Sequence, residues 1–214
     1  MVYTPPQDAR VIEEMMDNLE HYINTSDDAV DPLIRMVIIH HQFESIHPFF
    51  DGNGRTGRII NILYLILNDL LDMPVLYLSQ YIIEHKDDYY RLLQEVRDKQ
   101  NWDEWIMYML EAVEKTANET THMVHAIWNL MGQTKHSMKQ KASSIYSKDL
   151  LEILFSHPYT KIDFLVEELG FSRQRASRYL NELSDMGYLE VVQIGNSKYF
   201  INIALFQLLK DGVS

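Results

Sequence analysis

His47-Pro-Phe-Phe-Asp51-Gly52-Asn53-Gly54-Arg55-Thr56-Gly57-Arg58 is the stretch on which the reading of this chain turns. Its first half is poor helix material, and the apolar run that follows Arg58 is helical, so the segment reads as a loop that enters a helix. Gly52 and Gly54 remove two Cβ atoms at that entry, so backbone N–H groups can close on an anion. Arg55 and Arg58 are three apart and share one helix face. They add two forked cations beside a helix start already favourable to negative charge. Asp51 offers a hard oxygen suited to Mg²⁺ on a polyphosphate. His47 supplies an imidazole, and histidine is the side chain whose unperturbed pKa suits a general base at neutral pH. Base, metal ligand, anion cradle and two arginines in one short segment describe a phosphate- or nucleotide-transfer site.

Rival readings of the same residues are weaker. Gly52 to Gly57 fits G-x-G-x-x-G, but a dinucleotide fingerprint requires a preceding strand, and here a helical pattern precedes. A P-loop requires Lys and Ser/Thr after its last glycine, where this chain has Arg58. A tight turn with surface arginines accounts for any one residue but not for the joint arrangement. His40, His41, Glu44 and His47 invite a zinc site, yet no H-E-x-x-H spacing is present.

Outward from the loop the pattern is helical. Val11, Met15, Met16, Leu19, Tyr22 and Ile23 give an amphipathic helix ending near Asn24, after an extended lead-in over residues 1–7. Asp31-Pro32 reads as an N-cap and first-turn proline for a helix running to about Ser45. Ile59 through Leu71 leave almost no polar face, which predicts a central, buried helix stopped at Met73-Pro74. Ser79 to Lys99 and Trp102 to about Leu130 are further helices.

The polar stretch over 132–146 reads as a linker between a catalytic core over 1–131 and a smaller domain over 147–214. In the latter, short helices over Leu150–Phe155, Thr160–Leu169 and Ser172–Met186 precede two β-rich runs around Gly195-Asn196-Ser197, the order of a winged helix-turn-helix. The expected fold class is therefore all-α, a helical bundle followed by a small winged helix with a β-hairpin. Arg173, Arg175 and Arg178 are its DNA-facing candidates. Against them, residues 161–200 carry Lys161, Arg173, Arg175, Arg178 and Lys198 but also Asp163, Glu167, Glu168, Glu182, Asp185 and Glu190, a poor balance for phosphate.

Composition narrows the setting. Lys+Arg number 19 against 31 Asp+Glu, a net charge of −12, which opposes bulk capture of nucleic acid. Cysteine is absent, so disulfides, thiolate zinc and a cysteine nucleophile are excluded, and a reducing, cytoplasmic location is expected. No apolar run is long enough to span a membrane.

The segment His47 to Arg58 matches H-x-F-x-[DE]-G-N-G-R-x-x-R position for position, and with Phe43-Glu44-Ser45-Ile46, Leu76-Tyr77-Leu78-Ser79 and Tyr89-Tyr90 the chain resembles bacterial Fic proteins that end in a winged helix. The resemblance implies a protein adenylyltransferase that moves AMP from ATP, with Mg²⁺, to a Tyr, Thr or Ser hydroxyl of a target protein. Relatives that transfer other phosphate-containing groups, or a regulator acting on DNA through the winged helix, are the alternatives; a homodimer is the assembly entertained. By the same resemblance His47 is the base and Asp51 the Mg²⁺ ligand. Gly52, Asn53, Gly54, Arg55, Thr56, Gly57 and Arg58 hold the phosphates, Phe49 anchors the loop in the core, and Tyr89 and Tyr90 lie against the nucleotide. Many relatives carry an upstream flap and an inhibitory S/T-x-x-x-E-G/N helix. Here Val2-Tyr3-Thr4-Pro5-Pro6 opens the chain and no Glu is followed by Gly or Asn, so Arg58 is expected to be unrestrained, the sequence being either a truncated product or one regulated from elsewhere.

Overall fold

A computed structural model describes residues 3–25 and 29–212; Met1 and Val2 of the lead-in lie outside them. Packing divides the chain between Thr120 and Thr121, and each unit has its own core.

The first unit is built of helices whose starts follow from local chemistry. Asp8 caps α1 (Ala9–Asn24) by accepting the Arg10 N–H, and Asp31 caps α2 (Pro32–Ile46) by accepting the Leu33 N–H, with Pro32 in the first turn. Then come α3 (Asn53–Leu67), α4 (Leu78–Glu84), α5 (Lys86–Lys99) and α6 (Trp102–Lys141). The stretch expected as one helix over Ser79–Lys99 breaks at His85, whose φ of −117° and ψ of 38° leave the helical region.

The central helix is α2. Met36, Val37, Ile39, Phe43 and Ile46 are buried on it, and so are His40, His41, Glu44 and Ser45, so it is covered on every side. Trp105 of α6, itself fully buried, donates its indole N–H to the Val37 carbonyl. The expectation that the apolar helix after the loop is the buried one is thereby corrected. Helix α3 turns Gly57, Asn61, Tyr64 and Leu65 inward, while Ile59, Leu63 and Leu67, at i, i+4 and i+8, are exposed. Composition measures how much a helix can bury; the packing partners decide which face is covered. Helix α3 also stops at Leu67, well before Pro74, because Asn68 and the left-handed Asp69 end its hydrogen-bond ladder.

The stretch expected as a linker, 132–146, is helical as far as Lys141. Its polar residues are mostly tolerable helix formers, Gly132 alone does not break a helix, and Met138 is fully buried. In the remainder of the second unit the three expected helices and two β runs come in order, as α7 (Lys148–Ser156), α8 (Ile162–Leu169), α9 (Arg173–Asp185), β2 (Leu189–Ile194) and β3 (Ser197–Asn202); β1 (Tyr159–Thr160), where Thr160 was expected to open a helix, and α10 (Ile203–Asp211) were not expected. The three strands lie in the order β1-β3-β2, antiparallel, with Val191 opposite Phe200 and Ile194 opposite Ser197 across the hairpin. Leu150, Leu165, Leu180, Leu183 and Phe200 form its core.

Candidate active site

The loop and the start of α3 lie wholly in the first unit. Helix α2 ends on His47, which adopts a left-handed conformation (φ 52°) while its N–H closes the last turn on the Phe43 carbonyl. That reversal leaves His47 exposed to solvent at the rim of the loop. The chain then runs to Gly52, which has φ 89° and serves as the N-cap of α3 without any side chain to bond the first amides. The helix thus presents N–H groups that no cap consumes, the condition for anion binding at a helix start. A glycine meets the φ requirement there at no steric cost.

Asn53 fixes the loop. Its side chain is almost fully buried, accepts the Phe49 N–H at 2.9 Å and donates to the Phe49 carbonyl at 2.6 Å. This is a two-point clamp across the bend, so Asn53 shapes the cradle with both of its side-chain polar groups turned to the loop's own backbone. Phe49, expected as a core anchor, is half exposed, with its ring 6.3 Å from that of Phe43. The loop is anchored by Asn53 through the Phe49 main chain instead. Phe50 is fully exposed beside it.

The charged residues are arranged in layers. Asp51 and Arg55 face each other at 3.1 Å, with side chains 85% and 72% exposed. Arg58 is half-buried and donates from Nε to the Ser79 hydroxyl at 2.7 Å. Thr56 bonds the Gly52 carbonyl with both its N–H and its hydroxyl, closing the first turn. Gly57 is buried against α2: a Cβ there would lie 3.0 Å from Glu44 Oε1, 3.2 Å from Phe43 and 3.3 Å from His40. Gly57 therefore serves the approach of α3 to α2 rather than a ligand.

Beneath the loop, His40 is fully buried, with Tyr89 Oη at 2.9 Å from Nε2 and Asn61 Nδ2 at 3.1 Å from Nδ1. Burial pushes its imidazole down to about 4, and burial does the same to His41 beside Leu93. Tyr89, expected against the nucleotide, belongs to this core. It is buried, packs 5.5 Å from Trp105 and has its hydroxyl taken by His40. Aromatic residues at helical spacing face the core when their helix does, and here only Tyr90 points outward.

Glu44, considered in the sequence as a metal ligand and as part of the segment before the loop, sits behind the loop and is nine-tenths buried. Burial raises its carboxyl above the usual range, opposed by the charges of His47, Arg58 and Arg97. Ser79 and Tyr3 entered the sequence reading only within the segments that carry the resemblance, with no role of their own, and Arg97 was not singled out. Arg97 bonds Ser45 Oγ and the Glu44 carbonyl and stacks 3.8 Å over the Tyr3 ring, whose hydroxyl reaches the Ser45 carbonyl. An acid in an apolar helix stripe, three residues before the histidine, was the available signal.

In the second unit the DNA-facing candidates are engaged. Arg173 pairs with Asp163 at 2.7 Å, Arg175 lies over Phe171 at 3.9 Å and donates to Tyr179 Oη, and Arg178 sits 5.3 Å from the Tyr179 ring centre. These contacts give the arginines partners within their own unit.

Comparison with known proteins addresses the loop directly. The Fic/DOC family matches residues 1–65, which hold the whole loop and the cap geometry described above, and the C-terminal domain of SoFic-like protein adenylyltransferases matches residues 130–205. Over both of these segments the chain is similar to Fic family proteins. It is 38% identical over 58 residues to the protein adenylyltransferase fic-1 of Caenorhabditis briggsae, covering 27% of this chain and 11% of that protein. It is 28% identical over 107 residues to the protein adenylyltransferase Fic of Drosophila grimshawi, covering 48% of this chain and 20% of that one. The matches thus span between a tenth and a fifth of these relatives' own length. A crystal structure of a Fic family protein from Desulfovibrio desulfuricans G20 shares the fold, with a TM-score of 0.50 at 22% identity over 94% of this chain and 57% of that one. Among the described residues of this chain no helix is long and apolar enough to cross a membrane.

Proposed function

We propose that this chain is a protein adenylyltransferase, moving AMP from ATP to a Tyr, Thr or Ser hydroxyl of a target protein, with the Fic core over residues 1–131 and the winged helix over 147–214. The observation that carries the reading is the exposed His47 imidazole at the rim of a loop whose helix start keeps its amides uncapped. A cysteine-free chain suits the reducing cytoplasm.

In this reading the triphosphate lies along the start of α3. The uncapped amides after Gly52 receive phosphate oxygens, and Arg55 and Arg58 offset the remaining charge. Arg55 is available because its pair with Asp51 is exposed and worth at most about 1 kcal/mol. Arg58 is pre-oriented by Ser79. Of the two tyrosines, only Tyr90 keeps a nucleotide-facing role. His47 accepts the proton of the target hydroxyl as its oxygen bonds the α-phosphorus, and the bond to the bridging oxygen breaks with pyrophosphate as the leaving group. Most of the rate advantage comes from positioning and charge stabilisation.

The donor set fits Mg²⁺ held in the manner of nucleotide enzymes. Asp51 presents one highly exposed carboxylate, and no cluster of three metal-ligating side chains occurs among the described residues. Mg²⁺ takes one or two carboxylates and completes its shell with water and phosphate oxygens, so Asp51 is the residue that would hold it. Bound there, the ion supplies neutralisation of phosphate charge.

Incubation with ATP labelled at the α- or the γ-phosphate, with His47→Ala as control, tests the proposal. Label from the α-position only, lost in the variant, is the expected result; transfer from the γ-position, or none at all, refutes it.

A further inference from the structure

Side chains from two distant parts of the first unit meet on the last turn of α2, and the mechanism above leaves them unused. The last carbonyls of an α-helix lack partners in their own ladder. In α2 the Phe43 carbonyl accepts the His47 N–H at 2.9 Å. The next two are taken from outside the helix. Tyr3 Oη donates to the Ser45 carbonyl at 2.9 Å, and Arg97 Nη2, from α5, donates to the Glu44 carbonyl at 3.3 Å. Arg97 also donates from Nε to Ser45 Oγ at 3.0 Å, and its guanidinium carbon stands 3.8 Å over the centre of the Tyr3 ring. Ser45 is buried and both Tyr3 and Arg97 are half-buried, so water competes poorly for these bonds.

This is a C-cap built by the lead-in and by α5 rather than by the residues that follow the helix. Such a cap matters here because the residue that turns the chain is His47, held at φ 52°, an uncommon conformation for a residue with a side chain. Helix ends fray, and a frayed last turn would release that conformation. With the carbonyls two and three residues before His47 pinned, the turn is held shut and the point at which the imidazole leaves the helix is fixed. The anion cradle has a separate support, because Asn53 clamps the Phe49 main chain from the start of α3. One device holds the base and another holds the phosphate site.

We propose that Tyr3 and Arg97 are positioning residues for His47, an external cap that fixes the last turn of α2 and with it the place where the imidazole meets the incoming hydroxyl. This rests on the reading of His47 as the base. A general base acts only within hydrogen-bond reach of the proton it takes, so a fraying turn lowers the fraction of molecules able to react while ATP is held as before. The signature is a loss in kcat at constant KM for ATP.

The test combines amide hydrogen exchange of the full chain with labelled AMP transfer at varied ATP. Tyr3→Phe keeps the ring under Arg97 and deletes the hydroxyl. Arg97→Lys keeps the charge and loses the fork that reaches Ser45 Oγ and the Glu44 carbonyl together. Each is expected to quicken exchange of the His47 N–H about tenfold relative to Ile39 in the middle of α2, and to lower kcat about three- to tenfold with KM for ATP held within about twofold. Ser45→Ala, which unhooks Arg97 while leaving the carbonyl for Tyr3, is expected to act in the same direction should Arg97→Lys fail to fold. A merely structural role would quicken exchange evenly along α2 and lower the unfolding midpoint with kcat retained. Unchanged His47 N–H exchange in folded Tyr3→Phe and Arg97→Lys, or a raised KM in place of a lowered kcat, overturns the proposal. Quickened exchange confined to the last turn, together with no transfer by the wild type, overturns the adenylyltransferase reading and supports the cap.

Discussion

Asn53 shows how one side chain can decide the shape of a site without touching its ligand. Both of its hydrogen bonds go to the Phe49 main chain across the bend. Replacing it by alanine deprives a part-buried N–H and carbonyl of their partner at once, which is expected to cost about 1–3 kcal/mol. Thermal unfolding of Asn53→Ala should show that loss, and labelled transfer should fall by a factor of ten or more as the cradle loosens. Asp51→Asn is the contrasting case. Its side chain is highly exposed and pairs with the exposed Arg55, so stability should stay within about 0.5 kcal/mol of wild type while transfer falls. Gly57→Ala pushes a methyl into Glu44, Phe43 and His40 at 3.0–3.3 Å. Overpacking of that kind is expected to cost about 1–3 kcal/mol, read as a lowered unfolding midpoint.

The loop was legible in the sequence because its chemistry is local: glycines, arginines, an acid and an imidazole at fixed spacing define a helix start whatever surrounds them. Asn53 was read as part of the phosphate cradle, because an asparagine in a turn carries no mark of which way its amide will face. Tyr89 failed for the same reason one level up, since helical spacing gives a face but not the partner of that face.

At the scale of elements, α2 and α3 bury differently from what the apolar run after Arg58 implied. Helix α3 leaves Ile59, Leu63 and Leu67 exposed, whereas α2, no less apolar over its length, carries two histidines, a glutamate and a serine in the interior. The run of apolar residues alone could not disclose this, because it does not name the partner of each face: His40 and Ser45 bury with hydrogen-bond partners from other helices, while one apolar face of α3 is left exposed. The difference is measurable. Leu65→Ala should cost about 2–5 kcal/mol in chemical denaturation, while Leu63→Gln on the same helix should change stability by no more than about 0.5 kcal/mol. A large loss at Leu63 would mean that its face is covered in solution. The cap of α2 was read correctly, since Asp31 acts on an amide two residues away, whereas the Asp8 cap of α1 was not singled out. The boundary of α6 was misread because its stretch beyond Gly132 is polar without containing a true helix breaker.

At the scale of the molecule, two separate cores respond differently to acid. His40 and His41 both lie in the first, held neutral with imidazoles near 4. In the unfolded chain they titrate near 6.5, so between about pH 6.5 and pH 4 the unfolded state takes up protons that the folded state refuses, and stability falls as pH falls. Glu44, raised by burial, acts in the opposite sense, but one carboxyl set against two imidazoles leaves a net loss. The expected outcome is a lower unfolding midpoint at pH 5 than at pH 7, with amide exchange quickening first in α2 and α5. Equal protection of those helices at the two pH values would contradict it.

The left-handed backbone at the end of α2 bears on how the reaction should be dissected. A non-glycine residue with φ near 52° sits in a region where asparagine and histidine are at ease and alanine is not. An alanine at that position therefore removes the imidazole and also invites the turn to relax, so its phenotype mixes two losses. Asparagine deletes the ring while keeping the bend, and the gap between the two variants measures what the geometry of the turn contributes by itself.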